Sequence, residues 1–180
     1  PLFADDLSVL DPDTIPWQTI TRSVSLTDKA HAMQARFAVA LTAQTLDLIV
    51  ETNDDTPTTL GKELDALAAD SLLFALDTRQ SGIASDCLEF AAASTGNGQC
   101  LIWKRQAPAL AGDLPEQYTH ANEPLRFAQG KILHADGKTN YHLRLAASEL
   151  MPFTFAEHPA PRFALAINEH DGTQRTSYHE

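Results

Sequence analysis

The side chains best suited to chemistry in this chain sit where apolar runs end or alternate with polar residues. Asp77-Thr78-Arg79-Gln80 closes a run that opens at Asp70, and His142 and Arg144 alternate with Tyr141, Leu143 and Leu145. Arg79, Gln80, His142 and Arg144 carry their polar atoms on planar groups, which can form paired hydrogen bonds to neighbouring hydroxyls. Trp103 supplies an aromatic face of the kind that stacks on the apolar side of a sugar ring. This is chemistry that holds a ligand rather than breaking its bonds.

Each aromatic also has a plainer reading. A two-residue turn at Gly96-Asn97 sets Trp103 opposite Phe90, on the face of Leu88 and Leu101. That is a core face, so buried packing explains the ring as well as a ligand does. The same register has Cys100 facing Ala93 and Cys87 facing Gln106, too far apart for a disulfide. Two free thiols fit a reducing compartment. Trp17, after Ile15-Pro16, reads as a packed anchor of the N-terminal arm, and Tyr118 and Tyr178 fall in loop or terminal positions.

Acidic residues offer a metal reading. Asp54 and Asp55 at one strand end, with Asp70 at the start of another, could give calcium the hard oxygen ligands it takes. The alternative is that these carboxylates cap turns and stay solvated. EF-hand spacing is absent, and Asp136-Gly137 and Asp171-Gly172 are explained by turn chemistry.

Catalytic patterns are missing. There is no G-x-S-x-G elbow, no G-x-x-x-x-G-K loop, no H-E-x-x-H and no C-x-x-C-H. Glu51, Glu89 and Asp77 could form a paired-carboxylate site, but nothing in their spacing selects them over solvated strand positions. With seven histidines, Met33 or Met151 could join a histidine on a haem, although core filling accounts for methionines as well.

Composition narrows the partners. The 13 Lys and Arg against 24 Asp and Glu leave a net charge of −11. That surplus repels phosphate backbones and anionic membrane surfaces, so neither nucleic acid nor membrane is expected as a partner. No run approaches the ~18 apolar residues of a membrane helix, and no basic-then-apolar leader opens the chain. Either a leader has been removed, or Pro1 follows an excised methionine.

The elements that must position these residues read as strands. Leu46, Leu48 and Val50 alternate with Asp47 and Glu51; Leu72, Phe74 and Leu76 share one face of 70–77. Tyr141, Leu143 and Leu145, and then Phe163, Leu165 and Ile167, repeat the pattern. Roughly ten such segments predict a single all-β domain, an antiparallel β-sandwich with one or two short helices. Leu60, Leu64 and Leu67 predict a helix within 59–69, and 148–151 a turn of helix before Pro152. Residues 1–16, with three prolines, read as an N-terminal arm to a sandwich over 17–180, and 106–124 as a long surface connection.

The order of these segments resembles the family 9 carbohydrate-binding modules, within the broader DOMON-like sandwiches. The resemblance runs from the 35–53 strand pair and its Asn53-Asp54-Asp55 corner through Asp70-Ser71-Leu72 and Leu76-Asp77-Thr78-Arg79 to the turn at Gly96-Asn97-Gly98. It continues in the 140–150 strand and turn and in 163–174. It implies a jelly-roll-like sandwich, a non-catalytic sugar-binding role, partnership with glycan-degrading enzymes, and often structural calcium. Such modules grip sugar between two tryptophans, and neither Trp17 nor Trp103 falls in a segment matching that clamp. Two further readings stand beside it: a haem-binding redox module of the DOMON type, and a sandwich that docks on a protein partner.

Overall fold

The structure is a computed structural model; it describes residues 18–19, 23–25, 35–53, 56–77, 80–108, 121–151, 153, 161–170 and 175–179, with 18–19, 23–25 and 175–179 described by backbone alone. In chain order the strands are β1 (Gln18–Thr19), β2 (Ser23–Ser25), β3 (Ala35–Leu41), β4 (Thr45–Asn53), β5 (Ser71–Asp77) and β6 (Cys87–Ser94). There follow β7 (Cys100–Gln106), β8 (Glu123–Pro124), β9 (Ala128–Ala135), β10 (Lys138–Ala146), β11 (Arg162–His170) and β12 (Arg175–His179). They form a five-stranded sheet in the order β1-β3-β4-β10-β9 and a seven-stranded sheet in the order β2-β12-β11-β5-β6-β7-β8. All the strand pairings are antiparallel.

Period-two patterning puts one face of each sheet into a shared core. Phe37, Leu48, Val50, Tyr141 and Leu143 from one sheet meet Leu72, Phe74, Phe90, Ile102 and Leu165 from the other. Phe74 stacks on Phe90 with ring centroids 5.1 Å apart. The sandwich expected from the alternation is therefore present. Where the sheets approach at β7 and β9, a side chain on Gly130 would overlap Cys100 Sγ and come within 3.0 Å of Ile102 Cδ1. Burial there pushes the Cys100 thiol up to about 12.

Three expectations need correction. Segment 59–69 is not a helix: Leu60 bridges to Thr95, and only Ala66–Ala68 makes a single 3-10 turn, capped by Asp65. The β6–β7 turn spans 95–99 and pairs Ser94 with Cys100, one residue away from the register of a two-residue turn. The two-residue turn lies elsewhere, at Asp136-Gly137 between β9 and β10, where φ is 54° and 71°. Within 106–124, residues 123–124 form β8 beside β7, with Pro124 on an edge strand where its missing N–H costs no ladder bond. The turn expected at 148–151 is present as a 3-10 helix at Ala147–Leu150. The arm 1–16 lies outside the described residues.

Candidate ligand-binding site

The outer face of the seven-stranded sheet is part covered and part open. Its outward residues form rows set by the register: Asn168, Ser71 and Ala93; Ala166, Leu73 and Ala91; Ala164, Ala75 and Glu89; Arg162, Asp77 and Cys87. Over the first rows lies segment 58–70, whose Leu60, Ala66 and Ala69 pack on Ala91, Ala93 and Trp103. Polar side chains pin this cap. The Asp70 carboxylate accepts the backbone N–H of Thr58 and that of His170, the latter at 2.7 Å. Asn168 Nδ2 donates to the carbonyls of Ala66 and Ala69, and Leu60 N–H donates to Ser94 O at 2.8 Å.

Beyond the cap the face opens into a trough of about 300 Å³. Leu73, Ala75, Ala164 and Ala166 contribute to its apolar floor, and Glu89 and Arg105 bring charge to it. Arg105 reaches the trough because of a β-bulge. Phe90 pairs with Lys104 while Glu89 pairs with Gln106, so Arg105 is an extra residue outside the ladder. A bulge of this kind re-aims a side chain. Neither Glu89 nor Arg105 makes a hydrogen bond or ion pair among the described residues.

The far end of the trough lies beside segment 80–83. The Asp77 carboxylate accepts N–H bonds from Ser81 at 3.2 Å and Gly82 at 2.8 Å. A side chain at Gly82, where φ is 70°, would stand 3.7 Å from Arg162 Nη1, which places the segment against Arg162. Gln106 Nε2 holds the next turn by donating to Ala84 O at 2.6 Å. Burial first, then the charges of Asp77, Glu89 and Asp86, push the Cys87 thiol up, so that sulfur is a poor nucleophile at neutral pH. Small apolar residues beneath one carboxylate and one guanidinium can seat a ring on its C–H face while its hydroxyls are hydrogen-bonded at the edge.

The residues expected from sequence are scattered over the molecule. Gln80 is exposed in the segment pinned by Asp77, with φ at 54°. Trp103 lies opposite Ala91, not Phe90, and is fully buried beneath the cap. Its face is outward, not the core face expected, and no ring surface is open to a ligand. His142 and Arg144 stand together on the opposite side of the sandwich, on the outer face of β10. Arg79, Asp54 and Asp55 lie outside the described residues.

Of the calcium set the described residues hold Asp70, and both its oxygens accept backbone amides, so Asp70 works as a clamp on the cap. Among the described residues no three His, Cys, Asp or Glu side chains gather to hold a metal. The imagined carboxylate trio does not assemble either. Glu51 is on the other sheet between Arg36 and Lys138, and Asp77 is engaged by amides. Glu89 is the carboxylate that lines the trough.

Neither a protein-family model nor a curated protein matches the chain. Solved structures do match its fold. One is a family 9 carbohydrate-binding module from Caldicellulosiruptor kristjanssonii in complex with cellotriose, at a TM-score of 0.58 and 15% identity over 93% of this chain and 73% of that one. The module in complex with glucose matches at a TM-score of 0.59, again with 15% identity, over 95% of this chain and 78% of that one. At that identity the likeness is one of fold: this chain is a β-sandwich built like those modules.

Proposed function

We propose that this domain binds a saccharide without transforming it, in the trough on the outer face of the seven-stranded sheet. The observation that carries the reading is the pair Glu89 and Arg105, opposite charges that make no hydrogen bond or ion pair among the described residues, over a floor of Leu73 and three alanines. Unengaged charged groups beside an apolar surface suit a ligand whose one face is C–H and whose edge is hydroxyl. The fold supports the reading, because the modules it resembles have been solved with glucose and cellotriose. Among the described residues Glu89 alone brings a carboxylate to the trough, whereas glycoside hydrolysis needs two, which favours a holding role. A domain of this kind would serve by keeping a glycan-degrading enzyme on its substrate.

Calorimetric titration with glucose, cellotriose and a panel of neutral oligosaccharides tests it. Glu89→Ala and Arg105→Ala should each weaken the best ligand by about 10–100-fold, the worth of a charged hydrogen bond. His142→Ala, on the other sheet, should leave that affinity unchanged. Wild-type protein that binds none of the panel, or variants that bind as well as wild type, would remove the trough from consideration.

A further inference from the structure

We infer that the sugar held in the trough is one that carries acetamido groups, an N-acetylhexosamine or an oligomer of it. This rests on the trough being the ligand site and names the class of sugar the site selects. The trough sorts its chemistry by strand. Ala164 and Ala166 on β11, with Leu73 and Ala75 on β5, make its apolar side, while Glu89 on β6 and Arg105 on β7 make its polar side. Ala164, Ala75 and Glu89 stand directly opposite one another across the ladder. Two strand spacings, about 10 Å, therefore separate the backbone at Ala164 from that at Glu89, which leaves room for a sugar ring and a side group lying across the strands.

The first feature that selects the acetamido group is the kind of floor. Phe74 and Phe90 line the trough from beneath with their rings buried in the core, and Trp103 is shut under the cap. Among the residues lining the trough, no aromatic ring is open to the flat side of an unsubstituted pyranose. The alanine side chains form instead a shallow apolar bed, on which the methyl of an acetamido group is taken out of water. The second feature is the polarity of the pair above that bed. The Glu89 carboxylate only accepts hydrogen bonds and the Arg105 guanidinium only donates them. Neither makes a hydrogen bond or ion pair among the described residues. An amide matches this pair, because it presents an N–H for Glu89 and a C=O for Arg105 on one planar group. A hydroxyl rotates to suit either partner and so draws no selectivity from their arrangement. The match needs no net charge on the face, since the acetamido sugar is neutral.

The test is calorimetric titration of the intact chain with chitotriose, with its fully de-N-acetylated counterpart and with cellotriose. Chitotriose should bind about tenfold or more tighter than cellotriose, the worth of a covered methyl and a hydrogen bond to a charged group. Ala164 is an exposed strand position where a β-branched residue suits the backbone. Ala164→Val should fill the bed and cut the preference for chitotriose over cellotriose about fivefold. Glu89→Gln and Arg105→Gln should each weaken chitotriose about tenfold and cellotriose less. Unchanged melting curves will show that the variants fold. The inference is overturned if cellotriose or the de-N-acetylated trimer binds as tightly as chitotriose, or if chitotriose binds the three variants as it binds wild type. Tight cellotriose binding that depends on Glu89 and Arg105 would sink the acetamido assignment and leave the trough as a sugar site, whereas no binding of any trimer would remove both.

Discussion

Asp47 has a side chain only 1% exposed, with Arg144 Nε 2.7 Å from its Oδ1. A carboxylate so placed depends on its partner, because the cost of leaving it buried and alone exceeds the worth of the pair itself. Arg144→Met should therefore cost about 3–5 kcal/mol in urea unfolding, and Asp47→Asn/Arg144→Met should recover much of that loss. Two rungs along β4, Glu51 behaves differently. Burial works to raise its pKa, but hydrogen bonds from Arg36 and Lys138, each at 3.0 Å, outweigh burial and lower it below its ordinary 4.5. A depressed folded-state value means that Glu51 adds stability above pH 4.5, and that this share is lost as pH falls through 4.5 and below. Melting curves taken down that range should show a smaller loss of Tm for Glu51→Gln than for wild type. Parallel slopes would mean that the two hydrogen bonds carry no net stability.

Among the elements, the cap over Trp103 decides how much of the sheet a ligand can reach, and Asp70 decides whether the cap stays closed. Removing that carboxylate strands the amides of Thr58 and His170, each worth about 1–3 kcal/mol if left unsatisfied. Asp70→Ala in a Trp17→Phe background should shift Trp103 fluorescence to the red and speed hydrogen exchange across 58–70, with or without a chelator. An unmoved spectrum would show that apolar packing alone holds the cap. The cap also marks the limit of what the sequence discloses. Alternation placed β4, β5, β10 and β11 correctly, because one buried face imposes period two on any strand. It could not tell that Leu60 and Leu64 cover a sheet face, since apolar residues spaced three and four apart suit a helix equally well. Nor could it choose between a two-residue and a longer turn around Gly96-Asn97-Gly98, and that one-residue slip carried Trp103 to the wrong face. Arg105 and Glu89 went unseen as a pair because a β-bulge leaves no fixed signature in the residues that form it.

At the scale of the whole molecule, salt separates two effects that a static picture merges. A net charge of −11 on 180 residues makes the compact state repel itself, and counterions relieve that repulsion. The pairs Arg36–Glu51–Lys138 and Arg144–Asp47 oppose the trend, but the partly exposed ones are worth at most about 1 kcal/mol each, and the buried one is screened little. Self-repulsion should win, so Tm should rise as salt is raised from about 20 mM to about 300 mM. Binding of a neutral sugar in the trough should change little, since a charge meeting a hydroxyl dipole is only weakly screened. Stability rising while that affinity holds level would show that net charge acts on the fold and not on the trough. An affinity that moved with Tm would mean instead that ligand binding draws on the same long-range charge as folding.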